Sequence, residues 1–87
     1  MIPSRPNLTE FSTKDIYLAT VIKLAGIPII RIESNERQGI FVFESSEDIE
    51  AIIVEYFNGR LKFDPKSLFE TWKSLKAMAF AKINDVR

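Results

Sequence analysis

Ile29-Ile30-Arg31-Ile32-Glu33-Ser34-Asn35-Glu36-Arg37-Gln38-Gly39-Ile40-Phe41-Val42-Phe43-Glu44 is the stretch that decides the fold. Two runs rich in β-branched and aromatic residues flank the short polar loop Ser34-Asn35-Glu36-Arg37, which is the pattern of a β-hairpin. In the first run Ile30 and Ile32 alternate with Arg31 and Glu33, giving one dry face and one wet face. The second run is apolar on both sides, with Phe41 and Phe43 on one and Ile40 and Val42 on the other. A strand without a wet face is predicted to lie centrally, covered on both faces.

Upstream of the hairpin, Ser12-Thr13-Lys14-Asp15 reads as a helix start with Ser12 as its cap. The helix is predicted over 13–25, and only Lys14, Asp15, Thr20 and Lys23 in it are polar. A helix apolar around most of its circumference is covered on more than one side. Gly26 supplies a left-handed C-terminal residue, and Pro28 prevents continuation. Residues 1–11, with Pro3 and Pro6, read as an N-terminal arm, and 12–87 as one compact domain.

Downstream, Ser45-Ser46-Glu47-Asp48 opens a second helix, its acids placed where the helix dipole favours them. Ile49, Ile52, Ile53 and Tyr56 form its apolar stripe, and Asn58-Gly59 ends it. Leu61 and Phe63 alternate with Arg60 and Lys62, predicting a short third strand beside the hairpin. Asp64-Pro65 caps a last helix over 65–82, with Leu68, Trp72, Leu75, Ala79 and Ile83 as its stripe and Phe69 and Phe80 widening it. The order α-β-β-α-β-α predicts an α+β domain: a small antiparallel sheet, the hairpin plus a short third strand, packed with three helices.

Composition narrows the chemistry. The chain has 87 residues, 46% of them apolar, with no cysteine and no histidine. Without Cys there are no disulfides and no thiolate chemistry. Without His the usual general base and the commonest metal ligand are both missing. The first residues hold no apolar run of signal-peptide length, so a soluble, cytoplasmic protein with no membrane span is expected.

Phosphate-cradling loops need clustered glycines, and Gly26, Gly39 and Gly59 are isolated. Glu44, Glu47, Asp48 and Glu50 are close enough in sequence to hold a hard cation, but dipole placement already accounts for their spacing. Tyr17 and Tyr56 would need a neighbour that lowers their pKa to act as acids, and both read as core tyrosines. Trp72 reads as core packing, with a partner-facing anchor as its other role. The sequence therefore predicts neither an enzyme nor a metal or cofactor site.

Twelve basic and twelve acidic residues cancel, but unevenly. Residues 33–59 carry Arg37 against Glu33, Glu36, Glu44, Glu47, Asp48, Glu50 and Glu55, a net −6. Residues 60–87 carry Arg60, Lys62, Lys66, Lys73, Lys76, Lys82 and Arg87 against Asp64, Glu70 and Asp85, a net +4. Arg60, Lys62, Lys66, Lys73 and Lys76 are the candidate partner or phosphate contacts. Glu70 lies between Lys66 and Lys73 at the spacing of surface ion pairs, which favours a solvated face. Aromatic residues are not visibly interleaved on that face, as single-strand binders require. The apolar excess of the first helix and second strand has two accounts, burial within the monomer or burial in a dimer.

The run Phe11-Ser12-Thr13-Lys14-Asp15-Ile16-Tyr17-Leu18-Ala19, the strand end Phe41-Val42-Phe43 and the helix end Tyr56-Phe57-Asn58-Gly59 together resemble a family of short prokaryotic and phage proteins described as a domain of unknown function. The resemblance spans roughly residues 10–80 and implies a compact stand-alone domain, with no catalytic or ligand residues to carry over.

The reading that follows is a small non-enzymatic interaction module, self-associating as a homodimer or binding another protein, with acidic and basic surfaces segregated along the chain. Its alternative is a nucleic-acid-binding accessory protein that uses the basic segment 60–76.

Overall fold

The strand expected to be central is central. A computed structural model describes residues 10–84, in the order β1 (Glu10–Thr13), α1 (Ile16–Leu24), β2 (Ile29–Asn35), β3 (Gln38–Glu44), α2 (Glu47–Phe57) and α3 (Pro65–Asn84). The sheet is antiparallel with order β1-β3-β2, so β3 pairs along both edges. The class is the expected one, three helices on a three-stranded antiparallel sheet.

The third strand is not where the alternation of Leu61 and Phe63 placed it. It is Glu10–Thr13, ahead of α1, with Phe11 opposite Phe43 and Thr13 opposite Phe41. Residues 60–64 run between α2 and α3 without a strand. They are confined by a helix-ending Gly59 at one side and by Asp64-Pro65 at the other, and both Asp and Pro disfavour a ladder. The helix cap moves accordingly. Asp15, not Ser12, caps α1, its carboxylate accepting from the Tyr17 and Leu18 amides at 2.9 and 3.3 Å. Residues 1–9 of the expected arm lie outside the described residues, and Glu10 and Phe11 belong to β1.

Helices α1 and α2 end as their glycines require. The amides of Gly26 and Ile27 donate to the carbonyls of Lys23 and Ile22, and those of Gly59 and Arg60 to Tyr56 and Glu55. Both ends are Schellman motifs with a glycine at positive φ. At the start of α3 the Asp64 carboxylate accepts from the Ser67 amide at 3.0 Å, with Pro65 in the first helical position.

One face of the sheet holds the core. Phe41 and Phe43 of β3 pack with Leu18, Ala19 and Ile22 of α1, Ile49 of α2, and Leu75 and Ala79 of α3. Leu18 through Ile22 are buried without interruption, so α1 is enclosed all round, between the sheet, α2 and α3. That settles half of the apolar excess in favour of burial within the monomer.

The other half, Val42, points to the opposite face and is still only 2% exposed. Its register neighbours there are Ser12 and Arg31. The Arg31 guanidinium crosses β3 to donate two hydrogen bonds to Glu10, at 2.8 and 2.9 Å, and a third to Glu33 at 2.6 Å. The two strand spacings, about 10 Å, that separate β2 from β1 are bridged by the Arg31 and Glu10 side chains together. The dry face of β2 also differs from simple alternation. A bulge between Ile29 and Arg31 makes Ile29 and Ile32 the inward residues and leaves Ile30 exposed.

The Arg31 strap has a pH signature. Its guanidinium holds the Glu10 carboxyl below the ordinary value of 4.5, mainly through their hydrogen bonds. The unfolded chain lacks this partner and binds the proton more readily, so the contribution is present above the ordinary carboxylate range and is lost as pH falls through the lowered native value. In thermal melts from neutral to acidic pH, Glu10→Gln should melt below the parent at neutral pH, with the gap closing in acid. A gap independent of pH would show that the carboxylate charge is not what the strap uses.

Candidate interaction surface

The basic residues singled out from sequence divide between two places. Arg60 and Lys62 lie on the segment joining α2 to α3, and Lys66, Lys73 and Lys76 lie on α3. All five are exposed. Arg60 is engaged by Glu55 at 3.6 Å. The ion pair expected of Glu70 does not form with any described residue, so Lys66 and Lys73 stand without that neutralisation. The ammonium of Lys76 sits over the Trp72 ring, 4.7 Å from its centroid. A cation there is attracted by the negative face of the ring and covers part of it.

The aromatic residues hold the larger surprise. Phe69 and Phe80, expected to widen the buried stripe of α3, are 63% and 68% exposed. Leu75 and Ala79 define the inward direction of that helix. At about 100° per residue Phe69 and Phe80 fall well outside it, beside Lys73 and Lys76. The spacing Phe69, Lys73, Lys76, Phe80 is i, i+4, i+7, i+11, one continuous outer stripe of ring, cation, cation, ring. The sequence contained this signal. It lies in the helical phase that separates Phe69 and Phe80 from Leu75 and Ala79.

Further rings are exposed nearby. Tyr17, read as a core tyrosine, is 62% exposed at the start of α1. Phe57, the last residue of α2, is 74% exposed and meets Tyr56 edge to face at 5.2 Å. Between the helices runs an apolar groove of about 390 Å³. Tyr17, Thr20 and Val21 of α1 line it, with Tyr56 of α2 on one side and Leu68, Phe69 and Trp72 of α3 on the other.

Little in the groove offers chemistry. The Thr20 hydroxyl is spent on the Ile16 carbonyl at 2.7 Å. Tyr56 has its pKa raised, first by burial and then by the charges of Asp15 and Tyr17, so its hydroxyl is a weaker acid than an ordinary phenol. A catalytic tyrosine needs the opposite shift. The Trp72 Nε1 is buried and has no hydrogen-bond partner among the described residues. Among the described residues no three Asp or Glu side chains gather as a metal site requires. The acidic residues near the start of α2, Glu44, Glu47, Asp48 and Glu50, are exposed. No described helix is long and apolar enough to cross a membrane.

No curated protein and no solved structure matches the chain. A family model does match, over residues 9–81, and thus spans β1 through nearly all of α3. The chain belongs to the family described as Domain of unknown function (DUF5659).

Proposed function

We propose that this domain is a self-associating interaction module rather than an enzyme, and that two copies meet through the outer faces of α2 and α3. The observation that carries the reading is the exposure of large apolar side chains on both helices, Val54 and Phe57 on α2 and Phe69, Met78 and Phe80 on α3. Scattered exposed leucines are common on protein surfaces, but several large exposed side chains concentrated on two helices are of the kind that marks association. Charge supports the same reading, because α2 presents exposed Glu47, Asp48 and Glu50, and α3 presents exposed Lys66, Lys73 and Lys76. The chain's lack of His and Cys fits a role without catalysis.

Sedimentation velocity across a wide protein concentration range tests it. The parent should shift from monomer toward dimer as concentration rises, and Phe57→Ser with Phe80→Ser should remain monomeric while keeping the parent's circular dichroism. Both side chains are exposed, so their effect on folding stability is expected within about 0.5 kcal/mol. A parent that stays monomeric throughout would refute self-association.

A second reading is single-stranded nucleic-acid binding, favoured by the interleaving of Phe69, Lys73, Lys76 and Phe80. Bases stack on exposed rings while lysines meet phosphates, and such binding weakens steeply with salt. Fluorescence anisotropy with random-sequence DNA and RNA should then show salt-sensitive binding that Lys66→Glu with Lys73→Glu abolishes and that changes at Glu47 and Glu50 leave intact. Binding that persists after the lysine reversal would remove this reading.

A further inference from the structure

From the spacing and exposure of two helical stripes we infer that α2 of one copy lies parallel to α3 of a second, in a seam that pairs Glu47 with Lys73, Glu50 with Lys76, Val54 with Phe80, and Phe57 with Ile83. This inference rests on the self-association proposed above and specifies its geometry.

The stripe on α2 is Glu47, Glu50, Val54, Phe57, and the stripe on α3 is Lys73, Lys76, Phe80, Ile83. Both follow i, i+3, i+7, i+10, the spacing that keeps side chains along one seam between two helices. Glu47, Glu50, Lys73 and Lys76 are exposed, as are Val54, Phe57 and Phe80, while Ile83 is half-buried. None of the four charged residues forms an ion pair with a described residue of its own chain. Glu47, Glu50 and Lys73 are therefore available to a partner, and Lys76 reaches one by leaving the Trp72 ring that it covers.

The order within each stripe selects the direction. In parallel alignment both acids meet both lysines at the N-terminal half, and the apolar pairs meet at the C-terminal half. Antiparallel alignment of the same seam would set Glu47 against Ile83 and Glu50 against Phe80, leaving two carboxylates and two ammonium groups without partners on apolar surface. Pairing α3 with a second α3 would bring lysines against lysines or against phenylalanines. Only the α2–α3 combination matches charge and apolar character at every level. Each copy carries both stripes, so two copies can make the contact twice, reciprocally, as a closed dimer.

Charge exchange between chains tests the seam. The E47K/E50K variant places lysines against lysines in its own dimer, and the K73E/K76E variant places glutamates against glutamates. Each alone should associate at least about a hundredfold more weakly than the parent, because facing like charges cost several kcal/mol. Mixed in equal amounts, the two should form a heterodimer, since both reciprocal contacts then join lysines to glutamates.

Native mass spectrometry distinguishes the mixed species by mass, and sedimentation gives its strength. Lysines at the start of α2 oppose the helix dipole, so E47Q/E50Q serves as a gentler variant that should weaken the dimer. Its mixed species with K73E/K76E should be weaker than that of E47K/E50K, because only one of the two reciprocal contacts then joins lysines to glutamates. Failure of the mixture to form a heterodimer, with each variant folded and the parent dimeric, would overturn the seam while leaving self-association standing. A parent monomeric at every concentration would overturn both.

Discussion

Phe43→Ala is expected to remove a large share of the domain's folding stability. Phe43 is fully buried on the central strand, paired with Phe11 of β1 on one edge and with Ile29 of β2 on the other. Its ring belongs to the same cluster as residues of all three helices. Truncating a buried phenylalanine removes its transfer free energy and leaves a cavity, together about 3–5 kcal/mol. At about 0.05–0.15 kcal/mol per residue a chain of this length has only some 4–13 kcal/mol in total.

Thermal denaturation followed by circular dichroism checks this, and Phe69→Ala is the contrast. Phe69 is 63% exposed, so its truncation should move the melting temperature by little. Comparable losses at both positions would contradict the assignment of Phe43 to the core and Phe69 to the surface. Nothing in the composition distinguishes these two phenylalanines. Their difference comes entirely from the face each occupies.

Gly39→Ala carries the second large effect, through contact rather than cavity. A Cβ placed at Gly39 would lie 2.8 Å from the Cβ of Ala79 and 3.7 Å from its Cα. Strand β3 and helix α3 approach so closely here that neither position has room for more side chain. Real carbon pairs do not sit at that distance, so strand and helix must separate, and overpacking of this kind costs about 1–3 kcal/mol. The cost should fall when Ala79→Gly is added. A glycine within a helix is itself unfavourable by about 1 kcal/mol, so the informative quantity is the coupling in a double-mutant cycle. A favourable coupling is expected in chemical denaturation, and strictly additive effects would show that the two residues do not meet.

Gly39 also illustrates what was legible in the sequence. The hairpin, the centrality of β3, the glycine-ended helices and the proline-started α3 all follow from chemistry confined to a few neighbouring residues. Glycine within a strand signals close approach by something, but only the fold identifies Ala79. The third strand is hidden in the sequence because Ser12-Thr13-Lys14-Asp15 offers three residues, Ser12, Thr13 and Asp15, that can each cap a helix. Pairing with Phe41 and Phe43 holds Phe11 and Thr13 extended, and the last of the three cap residues takes the role. Ile30 was misplaced by a bulge, which shifts alternation without leaving any mark in residue type.

The surface was partly legible. Arg60, Lys62, Lys66, Lys73 and Lys76 are exposed as the sequence suggested, yet they divide between a connecting segment and a helix. Apolar character alone does not distinguish the exposed Phe69 and Phe80 from the buried Leu75; helical phase does. Phase also relates the two charged helices. The equal spacing of Glu47, Glu50, Val54 and Phe57 with Lys73, Lys76, Phe80 and Ile83 is written in the sequence, but it gains meaning only when those side chains are known to face outward.

Sedimentation velocity of the parent from low micromolar to submillimolar concentration decides whether two copies of the chain associate. Self-association requires a weight-average mass that climbs from one chain toward two, and that does so less readily at high salt because the helical charges contribute. A single species at the monomer mass across the whole range would contradict it.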